Sequence, residues 1–398
     1  MHLESRRLAA PLLLAAASFA LSLAAAEFAL RAAAPAPDHF GVWPEHLDLT
    51  LHPAPGVLPG VEGPARFTTN ADGLRAEARR PEHAYRILAI GGSTTESLYL
   101  DDAETWPRLL QEQLGAARGR ADVWVGNAGK SGLNSRHHVV QVLQLLPQLP
   151  QIDVLLLLVG VNDLHHRLSR DADFRPIDQE PRSAFSELYV RAFDVRPEPQ
   201  SLWQPVQLLR RMAQLRARWD GEDPPVALVQ DDAGRIYEKW RRHRREASHW
   251  RSELPDLNSA LREYAANLHT IADVAQRHGA SVVFVTQPVM WHAQLSPAQR
   301  ALLWLGGVGD FQREPGHEYY RVEALSRGMA QYNAALLEVC ALRGLDCVDL
   351  AGALLRDTRI FYDDCHFNEA GSRRVASLLA EHLGRRPPRL ARLGAAAP

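Results

Sequence analysis

Val154-Leu-Leu-Leu-Leu-Val159 is an unbroken apolar run closed by Gly160-Val-Asn162-Asp163. A strand that faces solvent on one side alternates apolar and polar residues; one that does not alternate is buried on both faces, as in a parallel sheet covered by helices. Similar short runs lie on either side of it. Toward the amino end are residues 86–90 and 123–125; toward the carboxyl end are 281–286 and 346–350. Between these runs, residues 105–114, 137–149, 261–278 and 328–343 carry apolar side chains at helical spacing, and 369–383 reads as a closing helix. Strands that alternate with helices in this way predict an α/β protein, a three-layer α/β/α sandwich around a central, mostly parallel five-stranded sheet.

The sheet region spans residues 85–386 of a 398-residue chain, leaving 387–398 as a carboxyl-terminal tail. Hydrophobic residues at 46% and charged residues at 23% fit a globular protein, and a formal net charge of -2 gives no pull toward nucleic acid. Residues 164–255 break the strand–helix rhythm with a polar, Arg- and Trp-rich insertion, either a lid or small helical subdomain beside the site or a solvated helical excursion. Residues 32–84 are rich in proline and read as a linker or an extended segment wrapping the domain, leading in through Phe67-Thr-Thr-Asn-Ala-Asp-Gly-Leu-Arg75. Residues 1–31 hold Arg6 and Arg7 ahead of an apolar run from Leu8 to Ala26, about 19 residues and near the length that crosses a bilayer. Basic residues before the run and Glu27 after it point the rest of the chain out of the cytoplasm, which in a bacterium is the periplasm. The run ends in Ala24-Ala-Ala26, which suits signal cleavage and secretion, while Phe28-Ala-Leu-Arg31 continues the helical pattern and favours a retained membrane anchor. Of the cysteines, Cys340 and Cys347 are placed to close a short loop with Cys365 left free; three buried thiols is the competing reading.

Four loops share one property: each follows the carboxyl end of an expected strand or closes on it, where open parallel sheets bind ligands. Gly91-Gly-Ser93 allows a sharp turn that exposes a hydroxyl beside a helix start, although alone it reads as readily as a phosphate loop or a helix cap. Gly126-Asn-Ala-Gly-Lys-Ser-Gly132 and Gly160-Val-Asn162 offer a backbone N–H and a side-chain amide, the neutral donors that an oxyanion needs. Asp363-Asp-Cys-His366 places a histidine three residues after a carboxylate that can fix its tautomer, with Asp364 as the rival partner.

In this order, GGST, NAGKSG, GVND and DDCH resemble the four blocks of the SGNH/GDSL hydrolases, from about residue 86 to 383 with the insertion outside the resemblance. The resemblance implies a flavodoxin-like fold and a serine esterase that needs no cofactor. By its blocks, Ser93 is the nucleophile and an oxyanion donor, Gly132 rather than Gly129 is the second donor, Asn162 is the third, and Asp363 and His366 are the charge partners of the serine, with Asp364 left as a turn or capping residue. Gly92 stands where the best-known family motif has Asp, a position outside the catalytic set. The lead-in and Trp106-Pro107 are similar to membrane-anchored bacterial members, which implies an ester-linked acyl or O-acetyl group on a cell-surface glycan as substrate.

Other residues have weaker claims. Gln287, Trp291 and His165 sit by the same edge as candidate substrate contacts, with turn and packing roles as the alternative. The pairs His137-His138 and His165-His166 make poor metal sites, because adjacent helical residues face apart. The same loops fit an O-acyltransferase, or a membrane-anchored glycan-binding or assembly component without turnover. A serine-directed probe separates the last of these from an enzyme.

Overall fold

The computed structural model describes residues 17–19, 21–22, 24–25, 38–118, 122–197 and 234–385. Two units are distinguished, residues 1–40 with 196–228 and residues 41–195 with 229–398. What is described of the first is helical at 17–19, 21–22 and 24–25. The expected anchor or signal segment therefore lies almost wholly outside the described residues. Among the described residues, no helix is long and apolar enough to cross a membrane.

The second unit is built on five parallel strands: β1 (Tyr85–Gly91), β2 (Val123–Asn127), β3 (Val154–Leu158), β4 (Ser281–Val285) and β5 (Asp346–Val348). They pair in the order β2-β1-β3-β4-β5. The apolar run at 154–159 supplies β3, at the centre: Leu155 pairs with Leu88 of β1 and Val282 of β4, and all five residues of the strand are buried. The chain leaves β1 in one direction to form β2 and returns past it to form β3, so the strand order reverses between β1 and β3. A crevice opens at such a reversal, at the carboxyl ends of the strands.

Eight helices of eight residues or more are described: α1 (Trp106–Arg118), α2 (Ser135–Gln148), α3 (Val161–Arg170), α4 (Arg182–Ala192), α5 (Ile236–Arg245), α6 (Asn258–Arg277), α7 (Val322–Arg343) and α8 (Glu369–Gly384). They pack in two groups, α1 against α8, and α6 against α2 and α7. Right-handed crossovers that run in opposite directions from β1 send these groups to opposite faces of the sheet.

Three boundaries differ from the sequence reading, each for a local reason. The insertion expected at 164 begins later, because Val161, Leu164 and Leu168 form a buried stripe on α3 that the neighbouring His and Arg residues disguise. Gly328, expected to open a helix, lies inside α7; a Cβ there would stand 2.9 Å from Leu164 Cδ1, so the glycine lets α7 approach α3. Strand β5 stops at Val348, where Asp349 caps a one-turn helix, Leu350–Ala353, by accepting from Gly352 N. From residue 41 the proline-rich segment wraps the domain. Asp48–Leu51 pairs antiparallel with Ala65–Thr68, Val42, Phe67 and Leu74 are buried, and Arg75 bridges to Asn127 at the end of β2. Cys340 and Cys347 are joined by a disulfide with Cα atoms 6.3 Å apart, and Cys365 is free and buried.

Candidate active site

Strand β1 ends at Gly91, where a Cβ would meet Thr95 Oγ1 at 2.2 Å and Leu158 O at 2.7 Å. Only a residue without a side chain lets the strand turn there into the single helical turn Ser93–Glu96. Outlying residues hold that turn by its carbonyls. Trp106 Nε1 donates to Thr94 O (3.0 Å) and Asn127 Nδ2 to Thr95 O (2.8 Å). Arg75, 6% exposed, donates to Glu96 O (2.7 Å), Ser97 O (2.9 Å) and Leu100 O (2.6 Å), and its Nε meets Asp102 (2.7 Å). A buried guanidinium is tolerated when its donors are answered in this way. Its effect here is to fix the chain that follows Ser93.

His366 reaches Ser93 from the opposite end of the sequence. Its Nε2 is 2.6 Å from Ser93 Oγ, and its Nδ1 is 2.7 Å from Asp363 Oδ2. Asp363 is fully buried and accepts from four donors: Cys365 N and His366 N on Oδ1 (3.0 and 2.9 Å), His366 Nδ1 and Trp304 Nε1 (2.8 Å) on Oδ2. Burial pulls the Asp363 carboxyl up, but the imidazole beside it and these hydrogen bonds outweigh it and hold the pKa below the usual value. Burial likewise pulls His366 down, and the Asp363 charge raises it well above an ordinary histidine. The imidazole stacks with Tyr362 (centroids 5.4 Å apart, planes at 10°) and meets the edge of Tyr237 of α5 at 6.0 Å. The insertion thus contributes a wall to the histidine.

Asp364 does not compete for the histidine and is no mere turn residue. It is buried, and it accepts from Trp291 Nε1 (2.7 Å), Trp304 N (2.7 Å) and Leu305 N (3.1 Å). Burial and the adjoining Asp363 charge push its carboxyl up.

Gly132 and Asn162 stand beside this pair of loops. Gly132 has φ +75°, a left-handed conformation that favours glycine, and among the described residues its N–H meets no acceptor, like that of Ser93. Gly129, by contrast, donates its N–H to Asn127 Oδ1 (2.8 Å), so it has nothing to offer a ligand. Asn162 gives one amide hydrogen to Leu133 O (2.8 Å) and keeps a second. A Cβ on Gly92 would lie 2.3 Å from Asn162 Nδ2, which explains the glycine where the family motif has Asp: in this chain the amide occupies that space. Glu96, 2% exposed, accepts from the Ser131 hydroxyl, and burial pushes its carboxyl up to about 7. The bond ties the loop after β1 to the loop that carries Gly132.

The candidate substrate contacts fare differently. Trp291 is buried on Asp364, and Gln287 is buried with its Nε2 donating to Pro288 O (3.0 Å) and its N to Asn333 (2.8 Å). Both make these hydrogen bonds inside the fold, as the packing alternative has it. His165 is half-buried against the edge of Phe311, its Nδ1 without a partner among the described residues, and burial followed by the Arg191 charge lowers its pKa to about 4. His137 and His138 are buried and neutral for the same first reason. Among the described residues, the one group whose ligand atoms lie close enough for a metal is Asp363, Cys365 and His366, and its imidazole and carboxylate already hold each other.

A family model described as GDSL-like lipase/acylhydrolase matches residues 89–374. No curated protein matches the chain. Among solved structures it is similar to LAE5, an alpha/beta hydrolase enzyme from the metagenome of Lake Arreo, Spain, at 13% identity over 76% of this chain and 95% of that one, with a TM-score of 0.42. It is also similar to Axe2, an acetylxylan esterase from Geobacillus stearothermophilus (13% identity, 76% and 94% covered, TM-score 0.40). A third is the native aryl esterase of M. smegmatis (13%, 76% and 99%, 0.38). Likeness at that distance says nothing about substrate. The family match is another matter: it runs from inside β1 into α8 and takes in all four loops, so the chain belongs to the GDSL-like lipase/acylhydrolase family and is a carboxylic ester hydrolase.

Proposed function

We propose that the protein is a serine esterase of SGNH type, on a three-layer flavodoxin-like sandwich, that removes an ester-linked acyl group, an O-acetyl group in the first instance, from a cell-surface glycan. In this reading Ser93 Oγ attacks the ester carbonyl while His366 Nε2 takes its proton, and Asp363 holds the imidazole in the tautomer that leaves Nε2 free to accept. The oxyanion is met by the N–H groups of Ser93 and Gly132 and by the second amide hydrogen of Asn162. His366 returns the proton to the leaving sugar hydroxyl, and water repeats the sequence on the acyl-enzyme. One observation carries the reading: an uninterrupted line of hydrogen-bond contacts from Asp363 through His366 to Ser93, at 2.7 and 2.6 Å. The glycan and a membrane-tethered, extracytoplasmic location rest on the sequence resemblance and on the apolar run at residues 8–26.

The purified chain is expected to release 4-nitrophenol from 4-nitrophenyl acetate and to strip one acetyl mass at a time from an acetylated xylo-oligosaccharide, followed by mass spectrometry. Failure on both substrates sinks the reading; success on the aryl ester alone removes the glycan. Asn162→Ala takes away a donor that matters only once charge develops on the carbonyl oxygen. Its kcat is expected to fall about 10²- to 10³-fold with KM nearly unchanged. A change confined to KM would assign Asn162 to substrate binding instead.

A further inference from the structure

Between α5, the strand His249–Arg251, the helical turn Pro297–Arg300 and the start of α7 lies a cavity of about 720 Å³. It shares no residue with the loops described above. Four guanidiniums line it, from Arg244, Arg245, Arg300 and Arg321, against one carboxylate, Glu323. Arg244 forms its floor. It is 4% exposed, donates to Leu305 O and Tyr320 O, and lies 5.1 Å over the ring of Trp250. Among the described residues no carboxylate is within ion-pair distance of it; two act on it from further off, Asp364, which already accepts from Trp291, Trp304 and Leu305, and more weakly Glu323, which reaches Arg300. Burying a cation whose hydrogen bonds go only to carbonyls is costly, and an anion in the cavity lowers that cost.

The rim repeats the imbalance. Glu323 reaches Arg300 at 3.4 Å, and Arg300 also donates to Leu295 O and Ala293 O. Arg245 and Arg321 are exposed and, among the described residues, have no carboxylate within ion-pair distance. Trp250 and the apolar side chains of Leu303 and Val322 supply the remaining wall, and the volume suits a body of a few sugar rings. Planar guanidinium forks match carboxylates two hydrogen bonds at a time, and an indole edge offers apolar surface to a sugar ring.

We propose that this cavity is a second ligand site that takes an acidic carbohydrate, its carboxylate held by Arg245 and Arg321 above the Arg244 floor. Such a site lets the protein hold an acidic polymer by residues other than those at the scissile ester. It does not depend on the chemistry assigned to Ser93.

Isothermal titration of the full chain with tri-galacturonate, neutral galactotriose and inorganic phosphate tests it. Saturable binding is expected for tri-galacturonate and not for galactotriose. In Arg245→Ala/Arg321→Ala the dissociation constant is expected to rise about tenfold or more, with melting temperature and 4-nitrophenyl acetate turnover as in the unaltered chain. Absence of tri-galacturonate binding, or binding that the double variant leaves unchanged, overturns the site. Phosphate binding as tight as tri-galacturonate overturns the carbohydrate assignment.

Discussion

Ser93→Ala is expected to lower kcat/KM for 4-nitrophenyl acetate by on the order of 10⁶-fold while the folded chain keeps its stability. The loss is large because the hydroxyl is not one contributor among several. Without Oγ there is no acyl-enzyme, and the imidazole at 2.6 Å has no proton to take. What remains is the polarising effect of the oxyanion donors on a water attack, which is small beside the lost covalent route. The fold has little reason to suffer. The Ser93 side chain is half-buried and its hydroxyl meets His366, whereas the turn itself is held by backbone carbonyls bound to Trp106, Asn127 and Arg75. A fluorophosphonate probe should label the unaltered chain and not the variant. Activity of the variant within tenfold of the original, with labelling retained, would move the nucleophile elsewhere.

The difference between what holds Ser93 and what reacts at Ser93 also marks how far the sequence could be read. The apolar run at 154–159 announced a strand buried on both faces, and it is the central strand; glycines at 91, 132 and 160 announced turns at its edge, and two of them, Gly132 and Gly160, have positive φ. Those are local signals, written in composition and spacing. The supports are not local. Arg75 serves carbonyls of residues 96, 97 and 100 from a lead-in segment that reads as linker. Trp304 reaches Asp363 with Nε1 and Asp364 with its backbone N–H from 59 and 60 positions away. Nothing in the periodicity around either residue says which buried oxygen it will meet, because the pairing is decided by how loops from separate crossovers converge. Glu96 stands two residues past the first block and its partner Ser131 lies in the second, and only the fold makes them neighbours. Trp291 shows the same thing from the other side. Its place after a strand at the functional edge fits substrate contact and packing alike, and only the fold shows its indole donating to the carboxylate next to the one that serves His366.

Asp363→Asn tests that carboxylate directly, and its outcome follows from counting donors. Asp363 accepts two backbone N–H groups on Oδ1, and His366 Nδ1 and Trp304 Nε1 on Oδ2. Asparagine has one oxygen and one NH₂, so one of these pairs must face a donor. The backbone N–H groups of Cys365 and His366 sit in a short turn and cannot give way; the imidazole can change tautomer. The amide oxygen therefore stays with the backbone and the NH₂ turns to His366, which leaves Nδ1 as acceptor and puts the proton on Nε2. An imidazole in that state cannot accept from Ser93, and kcat is expected to fall by about 10⁴-fold. The residual activity carries a second signature. His366 must be neutral to act as base, so activity rises as pH passes its pKa. Burial disfavours the imidazolium, and the Asp363 charge is what raises that pKa. With the charge gone, burial loses its largest opponent, the pKa drops and the rising limb of the pH–rate profile moves to lower pH. Steady-state kinetics of both proteins from acid through alkaline pH measures both effects. A variant with near-full kcat, or with a large loss but an unmoved limb, would mean that Asp363 does not govern the histidine.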